Sequence, residues 1–182
     1  MEQKEKIAAV IFTAAAIAFN FLYMGVPVIF LNVGLAISLI IWLTFEKTYS
    51  RKLSVLFIIG ILIQLAHFLE EYNTGLYKEL PSMFNAAPWT GRQFVIFNIT
   101  WLFIFLLAAI GAFKKIKLSY LILWFFVLIG AIGNGVFHIG LSLVRGEYFP
   151  GTVTAFFLLA IGIIMIQNIA SSPGDTNKNQ SL

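Results

Sequence analysis

Cysteine is absent from this 182-residue chain, which excludes disulfides, thiolate metal ligands and thiol nucleophiles. Charge is scarce too. Charged residues make up 11% of the chain, under half of the roughly 25% typical of soluble domains. Only two histidines are present, His67 and His138, so any site built on titratable groups draws on a short inventory. What fills the chain is apolar: 60% of residues are hydrophobic and the mean hydropathy is +0.92. This composition describes an integral membrane protein, with no stretch long and polar enough for a separate soluble domain. The net charge of +4 does not indicate nucleic acid as a partner, because the lysines and arginines sit in short clusters between apolar runs.

A spanning helix needs about 20 mostly apolar residues. Residues 53–72, 93–113, 119–144 and 152–170 each satisfy that length. The first run, residues 7–45, would extend roughly 58 Å as one helix, about twice the hydrocarbon core. It must fold back, and Gly25 and Pro27 at its midpoint supply the break. The expected fold is therefore all-α: a polytopic transmembrane helix bundle of six spans with an N-terminal helical hairpin. Residues 1–170 form a single domain in this reading and residues 171–182 a disordered cytoplasmic tail. Two acids among the first six residues argue for an uncleaved first span rather than a signal peptide.

Charge bias orients the bundle. With the N-terminus cytoplasmic, the inner segments hold Lys4, Lys6, Lys47, Arg51, Lys52, Lys114, Lys115, Lys117 and Lys178, nine of the twelve basic residues. The outer side keeps Lys78, Arg92 and Arg145. The positive-inside rule then gives both termini a cytoplasmic place in the cell membrane, and a five-span count would put one cluster on the wrong side.

On this topology the polar residues of the spans gather near one depth. His67, Glu70 and Glu71 lie near the outer end of the third span at i, i+3 and i+4, on one helical face. Asn134 and His138 are i, i+4 on the fifth span, Asn98 lies about 8 Å below the outer end of the fourth, and Tyr148 sits just outside the fifth. Ionisable groups inside a bilayer face the bundle interior or a wet cavity, so the third and fifth spans are expected to face each other across one extracytoplasmic cavity. Gly133 and Gly135 flank Asn134 and either pack helices closely or loosen the backbone below His138.

The run His67-Phe68-Leu69-Glu70-Glu71 resembles the signature of the HXXEE family of bacterial multi-span membrane proteins, whose function is unassigned. The stretch from Asn134 to Ala155, a His-bearing helix followed by Tyr148-Phe149-Pro150-Gly151 and the last span, is similar to that family's second block. The resemblance implies a shared site rather than an activity, and it does not extend to the first two helices.

Three kinds of role fit these residues. A catalytic zinc takes three His or carboxylate ligands and an open position. His67, His138 and one of Glu70 or Glu71, with Glu71 taken as the ligand, would make such a set, the other glutamate acting as general base on the metal-bound water. Adding Glu147 would make the site dinuclear. The enzyme would be a metal-dependent hydrolase acting on a membrane lipid or amphiphilic small molecule. The same His and Glu groups also suit a proton relay in a transporter or a small-molecule-binding protein. In a structural or interaction protein they would only satisfy one another, His67 with Glu71 or Asn98 and His138 with Asn134. Of the outer loop, residues 73–92, we expect a short interfacial segment lying over the site as a lid, with Phe84 and Trp89 at the headgroup level.

Overall fold

The computed structural model describes residues 2–45 and 50–171. The expected disordered tail therefore lies outside the described residues, apart from Ser171. Six helical spans are long and apolar enough to cross a membrane, and no strand occurs among the described residues. In chain order they are α1 (Gln3–Met24), α2 (Ile29–Thr44), α3 (Arg51–Thr74), α5 (Gly91–Phe113), a long rod made of α6 (Lys117–Phe125) and α7 (Asn134–Arg145), and α8 (Thr152–Ala170). A short α4 (Leu76–Ser82) lies between α3 and α5. The expected six spans with an N-terminal hairpin are what folds.

Local chemistry sets the boundaries. Gly25, at a φ of 75°, breaks the first apolar run, and a single 3-10 turn over Val26–Val28 leads into α2. Ser50 caps α3 by accepting from the Leu53 amide, and Thr90 caps α5 through Gln93. The hairpin is tied to α5 by amides buried in apolar surroundings. Asn20 donates to Asn32 (2.9 Å) and accepts from the Trp101 indole (3.1 Å), which satisfies polar groups that lipid could not.

Contacts at the two ends show how the spans alternate. At one end, Lys117 lies 3.3 Å from Glu5, the Trp42 indole donates to the Lys117 carbonyl, and Ser50 donates to Asn168. At the other, the Gln93 side chain donates to the Tyr23 carbonyl and Arg145 pairs with Glu79. Leu22, Leu143 and Val144 are 85, 77 and 85% exposed, an apolar exterior that suits lipid.

Between α6 and α7 the rod widens into π-helical winding over Phe126–Gly133, a distortion that often accompanies functional sites. Glycines on neighbouring helices receive its side chains. A Cβ on Gly60 of α3 would lie 2.6 Å from the Phe126 ring, and one on Gly34 of α2 would lie 2.0 Å from Ile129. On α7 itself, Gly135 packs against Leu159 of α8, whereas a Cβ on Gly140 would meet nothing within 4 Å. Close packing and loosened winding therefore both occur around Asn134.

Candidate functional site

Glu71 stands on α3 one turn beyond His67, with its carboxylate between two imidazoles. Its Oε1 lies 3.1 Å from His67 Nε2 and 3.2 Å from His138 Nε2, which α7 brings across. The rings are 4.8 Å apart, edge to face. His67, Glu71 and His138 are 0, 6 and 2% exposed, and their candidate ligand atoms lie within 4.8 Å of one another. The facing of the third and fifth spans is thus present in the fold.

The other nitrogen of each ring fixes where the protons sit. His138 Nδ1 contacts the Pro150 carbonyl; a carbonyl only accepts, so Nδ1 carries the hydrogen. His67 Nδ1 lies 2.8 Å from Thr154 Oγ1. That hydroxyl donates to the Glu70 carboxylate, so it accepts from His67 Nδ1. With Nδ1 of each ring committed as a donor, both Nε2 atoms point at the same carboxylate oxygen, and in the neutral form each would aim a lone pair at it; His67 Nε2 is fully buried with no hydrogen-bond partner. Three acceptors facing one another are stable only around a cation or a proton. Metal-binding imidazoles characteristically anchor the opposite N–H on a carbonyl or carboxylate in this way. Around a tetrahedral ion with bonds of 2.0–2.1 Å, ligand atoms stand about 3.3 Å apart, close to the two N–O separations here. The donor set fits a divalent metal.

The Tyr148–Gly151 segment holds the second imidazole. Thr152 N donates to the Phe149 carbonyl (3.1 Å), and Gly151 adopts φ 91°, ψ −6°. This is a type II turn with Pro150 and Gly151 at its centre. Such a turn flips the central peptide and thereby aims the Pro150 carbonyl at His138. Gly151 is needed twice: its φ is left-handed, and a Cβ there would lie 2.8 Å from His138 Nδ1 and 2.9 Å from His67 Cε1. Phe149, fully buried, packs on the His138 ring at 5.5 Å.

Glu70 does different work from Glu71. Helix α8 has no capping side chain of its own, and the Glu70 carboxylate reaches over from α3 to accept from Val153 N (2.9 Å) and Thr154 N (2.7 Å). The charge also lies at the positive end of the helix. Tyr148 donates its hydroxyl to the same carboxylate at 2.7 Å. Burial and the nearby Glu70 charge push that phenol above its ordinary range, which keeps it a donor. Glu70 thus faces α8 and acts on His67 through Thr154.

A cavity of about 320 Å³ opens beside the trio, with Glu71 and His138 in its wall. Asn98 and Asn134 line it too. They do not bond the histidines: Asn98 donates to Phe94 of its own helix, and Pro150, not Asn134, partners His138. From α4, Leu76 and Leu80 close part of the cavity, so the outer loop does contain a short covering helix. Trp89 lies beside the cavity, as expected, but packs as core rather than as an exposed cover. It is 7% exposed, donates to the Met24 carbonyl (2.9 Å) and stacks on Phe94. The bare carbonyl at the end of α1 offers its indole a buried partner. Phe84 is half-buried. Glu147 is exposed and does not join the clustered ligand atoms, so no second carboxylate-rich position forms around it.

The Pro150 carbonyl and the α1–α2 wall of the cavity have no counterpart among the residues singled out from sequence. Thr152 and Thr154 were legible as the polar start of the last span, but not the contact of Thr154 with His67.

No curated protein and no solved structure matches the chain. The model of a family described as "protein of unknown function with HXXEE motif" matches residues 57–166, a span that holds all three residues of the trio and both blocks of the motif. The chain therefore belongs to the HXXEE family.

Proposed function

We propose that this protein is a metal-dependent enzyme of the cell membrane, with both termini cytoplasmic and the His67–Glu71–His138 group toward the outer face. Its resident ion is a divalent metal, zinc by the nitrogen and carboxylate character of the donors. Its substrate is a membrane lipid or other amphiphile. One observation carries the reading: two imidazole Nε2 atoms and a carboxylate oxygen converge while Nδ1 of each ring is committed elsewhere.

An ion held there would polarise a carbonyl or phosphoryl oxygen and acidify water, to a pKa of about 7 for zinc. The chain's own groups supply the rest. Oε1 of Glu71, beside the two Nε2 atoms, would be the ligand oxygen, leaving Oε2 to take the proton from the attacking water and return it to the leaving group. Glu70 and Thr154 hold the His67 ring, and the Pro150 carbonyl holds the His138 ring. The apolar cavity excludes bulk water and orients the chain of the substrate. Its polar lining residues (Gln64, Glu71, Asn98, Asn134 and His138) all fall in the site-end half of their helices. That distribution favours chemistry at one face over passage of a polar solute across the bundle.

The test is the metal content of the detergent-purified protein beside His67→Ala. About one ion per chain in the wild type, lost in the variant, is the expected result. Equal and substoichiometric metal in both after loading with zinc would overturn the reading.

A further inference from the structure

Helix α3 places Gln64 seven residues before Glu71, about 10 Å inward along the cavity. Gln64 is 7% exposed and lines the cavity, yet its Oε1 has no hydrogen-bond partner. Asn134 lies on α7 one turn, about 6 Å, inward of His138, and Asn98 contributes a third amide to the wall, with only its Nδ2 engaged. The two asparagines are half-buried, whereas the Gln64 oxygen is a buried acceptor without a partner; such an atom is costly, and a bound ligand that donates to it relieves the cost. Around and below them the lining is apolar: Met24, Val28, Leu31, Phe97, Trp101 and Phe105. On α5 the lining runs from Phe94 to Phe105, about 16 Å along the helix axis. At about 320 Å³ the space lies at the small end of ligand pockets, room for one alkyl chain rather than two.

From this we infer that the cavity binds a single-chain amphiphile carrying an amide or hydroxyl group one to two helical turns inward of the bond presented to Glu71. The inference rests on the amphiphile reading of the cavity and adds what the site recognises. The group donates to Gln64 Oε1, and its own acceptor atom meets the Asn134 amide. The alkyl chain continues between Trp101 and Phe105. Phe30, Val33 and Ile37 of α2 line the cavity while 59, 49 and 45% exposed. This wall is therefore not sealed by neighbouring helices, and it admits the chain sideways from the bilayer.

Trp89 and Trp101 line the cavity and report its occupancy. The probe is the acetate ester of an N-acylethanolamine with bromine on its acyl chain, which quenches indole fluorescence on contact. Its control has an ester oxygen in place of the amide N–H. Wild-type protein in detergent should bind the amide about tenfold or more tightly than the ester, as expected when a buried acceptor gains or lacks its donor. Gln64→Leu should abolish that preference while still being quenched by the ester, which shows that the cavity persists. The preference should also survive His67→Ala, so a failure of the metal reading, seen in metal content, stays distinct from a failure here. Equal binding of amide and ester by the wild type, or an undiminished preference in Gln64→Leu, would overturn the inference.

Discussion

Gly151 lies so close beneath His138 that a single added carbon would sit 2.8 Å from the imidazole Nδ1, at a backbone φ of 91°. The turn residue and the ring are therefore one unit. Gly151→Ala should lose the metal, because both rings must move, and should lower stability by at least about 1–2 kcal/mol from the left-handed backbone alone. Gly140→Ala, where a Cβ meets nothing within 4 Å, should leave metal content and melting temperature unchanged or slightly raised. Thermal melts in detergent with metal analysis separate the two. Equal behaviour of the two variants would contradict the packing described.

The two adjacent glutamates should separate by phenotype. Glu71→Gln removes a converging carboxylate and should abolish metal binding with little loss of fold. Glu70→Gln leaves the trio in place but turns amide hydrogens toward the amides of Val153 and Thr154. It should destabilise by about 1–3 kcal/mol and weaken metal affinity about 10–100-fold through the loosened His67. Denaturation and metal titration on the same samples check the pair; a Glu70→Gln protein indistinguishable from wild type in both would contradict the capping role.

Trp89 should behave as core, and half-buried Phe84 should matter less. Trp89→Ser should cost about 3–5 kcal/mol, the range for truncating a buried large aromatic, whereas Phe84→Ser should be tolerated. Melting curves of the single variants decide it, and a stable Trp89→Ser protein would return that residue to the lid's exterior.

Orientation is checked with single cysteines, which the cysteine-free sequence permits cleanly. In intact cells Ser82→Cys on α4 should react with a membrane-impermeant thiol reagent, and Ser50→Cys should not. The opposite pattern would put the metal group at the cytoplasmic face.

Much of this was legible in the sequence because bilayer thickness and charge bias act over long runs. Except at the start of α1, which begins four residues before its apolar run, the helix ends fall within about two residues of the run ends, and the i, i+4 relation of His67 and Glu71 follows from helical pitch alone. Which glutamate joins the histidines was not legible. Positions i+3 and i+4 straddle the face of His67, so the choice is made by neighbours: α8 lies beside Glu70 and brings bare amides, while α7 brings His138 to Glu71. The burial of Trp89 was not legible for a related reason. An interfacial tryptophan and one bonded to the end carbonyl of α1 look alike until the chain from Met24 to Trp89 is folded. The contacts of His67 with Thr154 and of the hairpin with α5 cross too much sequence for any periodicity to signal.

Acidification should release the metal, because imidazoles bind as neutral ligands and protonation competes for the same lone pairs. The coordination itself is read most directly by X-ray absorption at the zinc edge of the loaded, purified protein. The account predicts two imidazole nitrogens at about 2.0–2.1 Å and carboxylate oxygen at about 2.0–2.2 Å, with one imidazole fewer in either His67→Ala or His138→Ala. A spectrum with no imidazole scattering, or one unchanged by both substitutions, would contradict it.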